Sequence, residues 1–436
     1  PQWCKRGELG EAGIYYGTEF AGMGKVALCM PLQESTVDYF CSRTPYDINR
    51  ICWREDNSGR YPVLFGGSTP EEDDIIASSF FWLSGWQEYT ISNRDRHGRF
   101  PYEVSLQAVL GTIHEPVVDK YREVLQRKLL QISIPVKHRR WGEKDWAFCP
   151  THDIDYLRKW RPGMVYREVV EHFLANGRRE TISARVSRLS AFLADAARPG
   201  DIFRKALTRM IDEVASRGGK ATYFIKTGAH GPHDVFYRPT HSFLRRTLRR
   251  LKTLDFEVGL HPSYYAHTHP DYLAQEKITL EKVWDDSVVS IRQHYLRYEA
   301  PLTPRLQEGA GFSIDSSLAF ADHEGFRNGT CHPFLRFDIG QNKAGGSWEM
   351  PLCFMDGTLF NYRNFSTDEA VAVSEKLILQ CKRYKGVCVG LWHNTLWDEM
   401  DFAGWGEHFL RIMDAAVREN ANIDSLKNLL GVTDQT

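Results

Sequence analysis

The stretch WAFCPTHDIDY, residues 146–156, joins a short apolar run to two aspartates one residue apart. Beyond it, short apolar runs alternate with amphipathic stretches. ATYFIK (221–226) follows the helix-like FRKALTRMIDEVASRGG, whose glycines supply a helix stop, and FEVGLH (256–261) follows FLRRTLRRLKTL. Strands that alternate with helical stretches predict βαβ units and a mostly parallel sheet, open or closed.

The same alternation continues to the end of the chain. It predicts a helix at 270–290, the run IRQHYL (291–296), a strand WEMPLCF (348–354), a helix at 367–384, a strand VCVGLWH (387–393) and a helix at 405–418. In such sheets ligands bind outside the carboxyl ends of the strands. The polar residues that end these runs are therefore candidates for a site: His152, Asp153, Asp155, His261, Arg292, His294, His393 and Asn394.

Composition excludes some classes of protein. The chain has 436 residues, 42% hydrophobic and 25% charged, which predicts a globular protein of two or three domains. Its net charge of -1 gives no reason to expect nucleic acid as a partner. Nine scattered cysteines without zinc-finger spacing favour a reduced, cytoplasmic protein. We see no signal pattern and no integral membrane segment, although a chain that does not begin with Met leaves a removed leader open.

The chain divides into two predicted domains. Residues 1–145 lack the regular alternation and form an N-terminal domain of unknown role, with a helix expected within 71–89 and another at 118–130. Residues 146–436 form the catalytic domain, which carries a helical insertion at 158–205 with eleven Lys/Arg against five Asp/Glu. The insertion predicts a solvated basic face or, alternatively, a lid or a peripheral membrane or glycan contact.

The candidate residues suit metal-assisted hydrolysis. One Asp and two neutral His form a site for a divalent ion such as Zn²⁺, with positions left for water and substrate. A second carboxylate can take the proton of the water that the ion activates, which gives the D-x-D pattern a reason. Arg292 is suited to keep that base ionised, and His393 to protonate a leaving group.

These motifs resemble those of the polysaccharide deacetylases with a NodB-homology domain, a carbohydrate esterase type. THDIDY is similar to the first motif, GLHPSYYAH to the metal-histidine motif, IRQHYLRY to the arginine motif and GLWHNT to the closing histidine motif. The likeness covers about residues 145–435, in the family's order. It implies a distorted (β/α) barrel, and the N-terminal part resembles an uncharacterised domain found ahead of some such domains.

The resemblance also implies roles, with Asp153 as catalytic base, Asp155 and His261 as metal ligands, Arg292 orienting Asp153 and His393 as general acid. The family's second histidine lies four residues after the first, where this chain has Tyr265. We therefore expect His294 as the third ligand, with His267 as the alternative, and a site with two protein ligands or none also stays open.

Each residue also has an ordinary structural explanation. The D-x-D pair could be capping acids, His261 could end a strand, Arg292 could form a salt bridge and His393 could pack in the core. His152 is either a supporting residue of the site or a packed side chain. The loop 315–334 either walls the site or is structural. Rings near the site could stack on sugars, although core packing is the default for Trp392, Trp397, Tyr264 and Tyr295.

Together these features predict a metal-dependent hydrolase that removes an N-acyl group, most simply acetyl, from an amino sugar of a glycan or glycan precursor. The expected partner is a carbohydrate and the expected cofactor is a divalent ion, Zn²⁺ being favoured. Two alternatives stay open, namely hydrolysis of another amide such as a cyclic ureide on the same scaffold, and an inactive glycan-binding or assembly protein. The sequence does not indicate the oligomeric state.

Overall fold

The computed structural model describes residues 13–17, 26–57, 59–175, 181–197 and 200–431. Its main feature is a sheet whose first strand is the opening stretch of sequence, with every residue of that strand buried. The strands of this sheet are β5 (Ala147–Ile154), β6 (Thr222–Ile225), β7 (Glu257–Leu260), β8 (Ser290–Ile291), β9 (Ile314–Asp315), β10 (Phe334–Asp338), β11 (Lys343–Glu349), β12 (Leu352–Met355), β13 (Val387–His393) and β14 (Asn422–Ile423).

The strand order is that of a sheet that curls toward a barrel. Along the sheet the strands follow one another as β10, β11, β9, β8, β7, β6, β5, β13 and β12, with β14 paired to the start of β5. All pairings are parallel except that of β10 with β11. β13, late in the chain, returns beside β5, and the sheet ends at β10 on one edge and at β12 on the other, so the barrel is incomplete. The predicted α/β class and distorted barrel are confirmed.

Helices follow the strands of this sheet along the chain. They are α6 (Pro162–Tyr166), α7 (Ile182–Ala197), α8 (Ile202–Ser216), α9 (Ser242–Thr253), α10 (Pro270–Trp284), α11 (Leu302–Gly309), α12 (Thr367–Arg383), α13 (Trp405–Arg418) and α14 (Leu426–Leu430). In α8 the buried residues recur every three or four positions, which is the apolar stripe that packs a helix on a sheet. The largest core cluster joins such residues of the helices to the strands.

The N-terminal region, meaning the described residues before Ala147, has two small sheets and its own hydrophobic cluster. Its strands are β1 (Gly13–Gly17), β2 (Val26–Pro31), β3 (Cys52–Asp56) and β4 (Gly59–Val63). Its helices are α1 (Glu34–Ser42), α2 (Ile75–Leu83), α3 (Trp86–Thr90), α4 (Leu106–Leu110) and α5 (Val117–Gln131). A separate cluster suits an independent domain, and the boundary at 145 stays a prediction.

The structure corrects several predicted elements. The helix expected to reach residue 290 ends at Trp284, because Asp285 takes a left-handed conformation. WEMPLCF contains the end of β11 and the start of β12, and the helix expected within 71–89 is split into α2 and α3 at Gly85, which has a φ of 69°. After β8, IRQHYL turns into a short 3₁₀ segment, His294–Leu296.

Of the eleven Lys/Arg side chains of the basic insertion, three form ion pairs within the described residues. Arg167 and Arg188 both contact Glu168 and Asp401, and the fully buried Lys159 contacts Asp195 and Asp398. Residues 176–180 and 198–199 of the insertion lie outside the described residues. Peripheral membrane contact by this segment stays a prediction. In the described parts of the chain, no helix combines the length and the apolar character required to cross a bilayer.

Candidate metal centre

Parallel strands bring the predicted residues to one edge of the sheet. Asp153 on β5 lies opposite His393 on β13, and Leu260 on β7 lies opposite Ile291 on β8, so that His261 and Arg292 follow side by side. Successive side chains of a strand point to opposite faces. Asp153 and Asp155 therefore share the inner face of β5, whereas His152 faces the helices.

Three side chains converge in the arrangement of a metal site. Asp155, His261 and His294 each offer a ligand atom, and these atoms all lie within 4.8 Å of one another. Asp155 Oδ1 lies 3.5 Å from His261 Nε2 and 3.4 Å from His294 Nε2. Both histidines are buried, while the Asp155 side chain is 18% exposed. The two histidines are thus shielded from solvent, whereas solvent reaches part of the Asp155 side chain.

In both histidines Nδ1 faces an acceptor oxygen, and Nε2 faces Asp155 Oδ1. His261 Nδ1 donates to the carbonyl oxygen of Arg292 at 2.8 Å, and His294 Nδ1 lies 2.8 Å from Asp234 Oδ1, an acceptor. A ring that donates from Nδ1 carries its lone pair on Nε2. Burial lowers the pKa of His294 to about 4, which favours the neutral ring that a metal needs.

The surroundings of Asp155 test whether the three side chains fit a divalent ion. Its Oδ1 is buried and has no hydrogen-bond partner, although buried polar atoms are normally satisfied. Burial raises the pKa of Asp155, but the neighbouring His294, His261 and Lys226 outweigh it and hold the pKa well below its usual value. An ionised, unsatisfied oxygen that faces two Nε2 atoms fits a divalent ion with three protein ligands.

Lys226 is the feature that a metal centre does not require. Its buried ammonium lies 3.0 Å from His294 Nδ1, 3.3 Å from His294 Nε2 and 3.8 Å from Asp155 Oδ1. It also donates to Asp234 Oδ1 at 2.9 Å. Because Asp234 offsets the charge of Lys226, the two residues form an ion pair beside the ligands.

Asp153 lies beside this group but has different partners. Arg292 Nη1 donates to Asp153 Oδ1 at 3.3 Å and to Thr151 Oγ1 at 2.6 Å. The other guanidinium atoms of Arg292 donate to the carbonyl and hydroxyl oxygens of Ser316, so that the fully buried side chain is held on several sides. The contact with Arg292 therefore holds the Asp153 carboxyl in one orientation through one of its oxygens.

His393 stands on the other side of Asp155 and is oriented by Asp356, which follows β12. Asp356 Oδ1 accepts a hydrogen bond from His393 Nδ1 at 2.7 Å, and Asp356 Oδ2 accepts one from the His393 amide at 2.6 Å. His393 Nε2 lies 3.8 Å from Asp155 Oδ2. Burial lowers the pKa of His393, but the Asp356 carboxylate outweighs it and raises the pKa to about 10. The ring is thus suited to donate a proton from Nε2.

Comparisons with known proteins find low similarity. Residues 31–134 match a family described as a family of unknown function, DUF7033, and no curated protein matches. The chain resembles solved polysaccharide deacetylases in fold.

A protein assigned as a polysaccharide deacetylase from Mycobacterium smegmatis is 14% identical, with 69% of this chain and 97% of that chain covered and a TM-score of 0.41. The Bc1960 peptidoglycan N-acetylglucosamine deacetylase is 10% identical, with 69% and 92% covered and a TM-score of 0.34. A family 4 carbohydrate esterase pseudoenzyme from Bacillus anthracis is 9% identical, with 69% and 71% covered and a TM-score of 0.34. At these values, function has to be argued from the residues of the site.

Several candidates from the sequence lie elsewhere. His267, the alternative third ligand, is buried outside the Asp155 group, and its carbonyl accepts from Thr303. His152 packs between Tyr223 and Phe409, which makes it a core side chain. Two of the proposed sugar-stacking rings are also in the core, namely Trp392 and Trp397. The other two rings, Tyr264 and Tyr295, do flank His294.

The loop 315–334 is largely structural. Arg327 forms an ion pair with Glu88 of the N-terminal region at 2.6 Å, and His332 bonds the carbonyl of Tyr384. Near the site, the loop contributes Ser316, which holds Arg292.

Sequence reasoning missed Asp234, Lys226 and Asp356. Lys226 and Asp356 directly follow β6 and β12, so the rule that collects polar residues at strand ends contained the signal for both. Asp234 lies in a loop and carried no such signal.

Glu276 of α10 supports the loop that follows His261. It accepts hydrogen bonds from the amide of Ser263 at 2.8 Å and from the Ser263 hydroxyl, and it is 1% exposed. Burial raises its pKa from 4.5 to about 7. The unfolded chain therefore loses this proton at lower pH than the folded chain does, and stability falls as pH rises from about 4.5 to about 7.

We expect Glu276→Gln to remove this dependence. Across that pH window, the free energy of unfolding of the wild type should fall relative to the variant by up to about 3 kcal/mol. Urea unfolding at several pH values measures the difference. Glu375→Gln, on the surface of α12, serves as the control and should follow the wild type. A pH-independent difference between wild type and Glu276→Gln would contradict the prediction.

Proposed function

We propose that the protein is a metal-dependent hydrolase that removes an N-acyl group, most simply acetyl, from an amino sugar of a glycan or glycan precursor. The observation that carries this proposal is that Asp155 and two neighbouring groups, Asp153 and His393, each have different partners. Asp155 faces two Nε2 atoms, Asp153 is held by Arg292, and His393 is held by Asp356. Ligands, a base and an acid are thus separate groups at one edge of the sheet.

Asp155, His261 and His294 are the residues that would hold the ion. When bound, a divalent ion such as Zn²⁺ polarises the acyl carbonyl and lowers the pKa of water. Asp153 takes the proton of the attacking water as that water adds to the carbonyl carbon. Arg292 holds Asp153 Oδ1, which leaves Oδ2 as the oxygen that accepts the proton.

His393 completes the reaction on the other side of the amide. Its Nε2 gives a proton to the sugar nitrogen as the C–N bond breaks, so that the products are a carboxylate and a free amino sugar. Asp356 holds Nδ1 of the same ring, which leaves Nε2 as the donor. A base on β5 and an acid on the neighbouring β13 place proton acceptance and proton donation at separate atoms.

The test is release of acetate from N-acetylated sugars by protein loaded with Zn²⁺. Chitooligosaccharides and a cyclic ureide, supplied in parallel, separate the amino-sugar substrate from another amide. Acetate release that is lost with a chelator and restored by Zn²⁺ would support the proposal. Turnover of the ureide alone would replace it with the second hydrolase.

Lys226 favours a second candidate, a metal-free glycan-binding protein. An internal ammonium 3.8 Å from Asp155 Oδ1 partly offsets the charge that a metal would otherwise neutralise. Binding of chitooligosaccharide without bound metal and without acetate release would identify this function.

A further inference from the structure

A turn of the N-terminal region, residues 95–99, contacts segments beside the candidate metal centre. Asp95 accepts from the amides of His97 and Arg99 and from Arg99 Nε, and Gly98 adopts a φ of 77° that completes the turn. Arg99 is only 7% exposed. Hydrogen bonds within residues 95–99 therefore fix the conformation of the turn, in addition to its contacts with the rest of the chain.

Arg99 joins two segments that follow strands of the main sheet. Its Nη1 donates to the carbonyl oxygen of Tyr295 at 3.0 Å, and its Nη2 donates to the hydroxyl of Tyr362 at 3.1 Å. Tyr295 comes directly after the ligand candidate His294, and Tyr362 ends a π-helical segment, Thr358–Tyr362, after β12. One guanidinium thus sets the distance between two loops at the mouth of the site.

The backbone that Arg99 holds is strained. Tyr295 has a φ of 62° and Leu296 a φ of 53°, two consecutive left-handed residues without a glycine. Such conformations persist where surrounding contacts enforce them, and they concentrate at functional sites. The hydrogen bond from Arg99 to the Tyr295 carbonyl is one such contact.

His97 adds further contacts between the turn and the segments around Tyr264 and Tyr295. It forms a hydrogen bond with the hydroxyl of Tyr264 at 2.9 Å, and its ring centroid lies 4.8 Å from that of Tyr295. Arg297 donates hydrogen bonds to the carbonyl of His97 at 2.8 Å and to the carbonyl of Tyr264 at 2.9 Å. The turn and the loops therefore support each other through several hydrogen bonds.

Three tyrosines are next to the candidate metal centre in the chain or are joined to it through Arg99. Tyr156 directly follows Asp155, Tyr295 directly follows His294, and Arg99 joins Tyr295 to Tyr362. Tyr156 and Tyr295 are half-buried, and Tyr362 is 43% exposed. Tyrosines that present a ring and a hydroxyl to solvent are suited to stack on sugar faces and to bond sugar hydroxyls.

We propose that Tyr295 and Tyr362 contact the sugar and that Arg99 of the N-terminal region is their positioning residue, an inference that rests on the proposed function. The N-terminal region thereby builds one wall of the substrate site. Lysine cannot replace Arg99, because a single ammonium does not reproduce the planar fork that reaches Asp95, Tyr295 and Tyr362 together.

The test compares Arg99→Gln and Arg99→Lys with a matched control, Arg54→Gln. Arg54 pairs with Asp73 inside the N-terminal region, and its hydrogen bonds go to residues 67–73. We expect both Arg99 variants to raise the KM for a chitooligosaccharide about tenfold or more with a small change in kcat, and Arg54→Gln to leave both near wild type. Zinc content should stay unchanged in all three.

Calorimetric binding of the same oligosaccharide gives a second readout. Tyr362→Phe removes the hydroxyl but keeps the ring, so it should weaken binding less than Arg99→Gln while the fold is retained. Arg99 variants that match Arg54→Gln in both KM and affinity would overturn the inference. Wild type that binds the sugar in an Arg99-dependent way but releases no acetate would overturn the proposed function alone, and wild type that neither binds nor hydrolyses it would overturn both.

Discussion

Replacing Asp153 with asparagine should reduce turnover by about 10²- to 10⁴-fold, because the amide cannot accept the proton that a general base must take. The bound metal should remain, since Asp153 is not one of the three converging side chains of the candidate metal centre. Steady-state acetate release and metal analysis on the same preparation measure the two effects.

The same variant should be somewhat less stable than wild type. Arg292 is fully buried, and the Asp153→Asn substitution would leave its guanidinium with only neutral oxygens as partners, including those of Thr151 and Ser316. Loss of a charged partner costs on the order of 1–3 kcal/mol, so activity is compared at a temperature at which both proteins are folded. Asp155→Asn is the matched control, because it should lose both turnover and metal. Full turnover by Asp153→Asn would exclude Asp153 as the base.

The second large effect is expected for the third ligand. His294→Ala should weaken Zn²⁺ binding by at least about 100-fold and abolish turnover with it, because only two protein ligands remain. The fold should survive, since Lys226 and Asp234 still pair at 2.9 Å. Titration with Zn²⁺ in competition with a chromophoric chelator gives the affinity.

His267→Ala is the control for this experiment. His267 is buried beside the same loop, and its Nδ1 lacks a hydrogen-bond partner, but it lies outside the converging group. It should lose stability and keep the metal. The reverse pattern, metal lost in His267→Ala and kept in His294→Ala, would contradict the assignment of His294.

Most of the barrel was predictable from the sequence. The alternation of apolar runs with amphipathic stretches is a local signal, and it located β6, β7, β13, α12 and α13 within a few residues. Short strands were harder to predict from the sequence. IRQHYL has the composition of a strand, yet β8 ends at Ile291 because the buried Arg292 and the left-handed Tyr295 turn the chain toward the site.

The site was predictable in part for the same reason. Asp153, Asp155, His261, Arg292 and His393 all lie at the carboxyl ends of strands, and parallel pairing brings such ends together. The roles assigned to them stay predictions. Asp234, by contrast, approaches His294 from a loop that no periodicity marks.

The sequence by itself determined the class of fold, the edge of the sheet where polar residues gather and the residue types available there, because hydrophobic period and strand ends are local properties. Only the tertiary structure decided that His294 rather than His267 faces Asp155, that Asp356 holds His393 and that Arg99 of the N-terminal region reaches Tyr295. Each of these depends on the path of a loop or on the register of two strands. Contacts between residues far apart in the chain depend on how the whole molecule packs, and a local sequence pattern does not predict them.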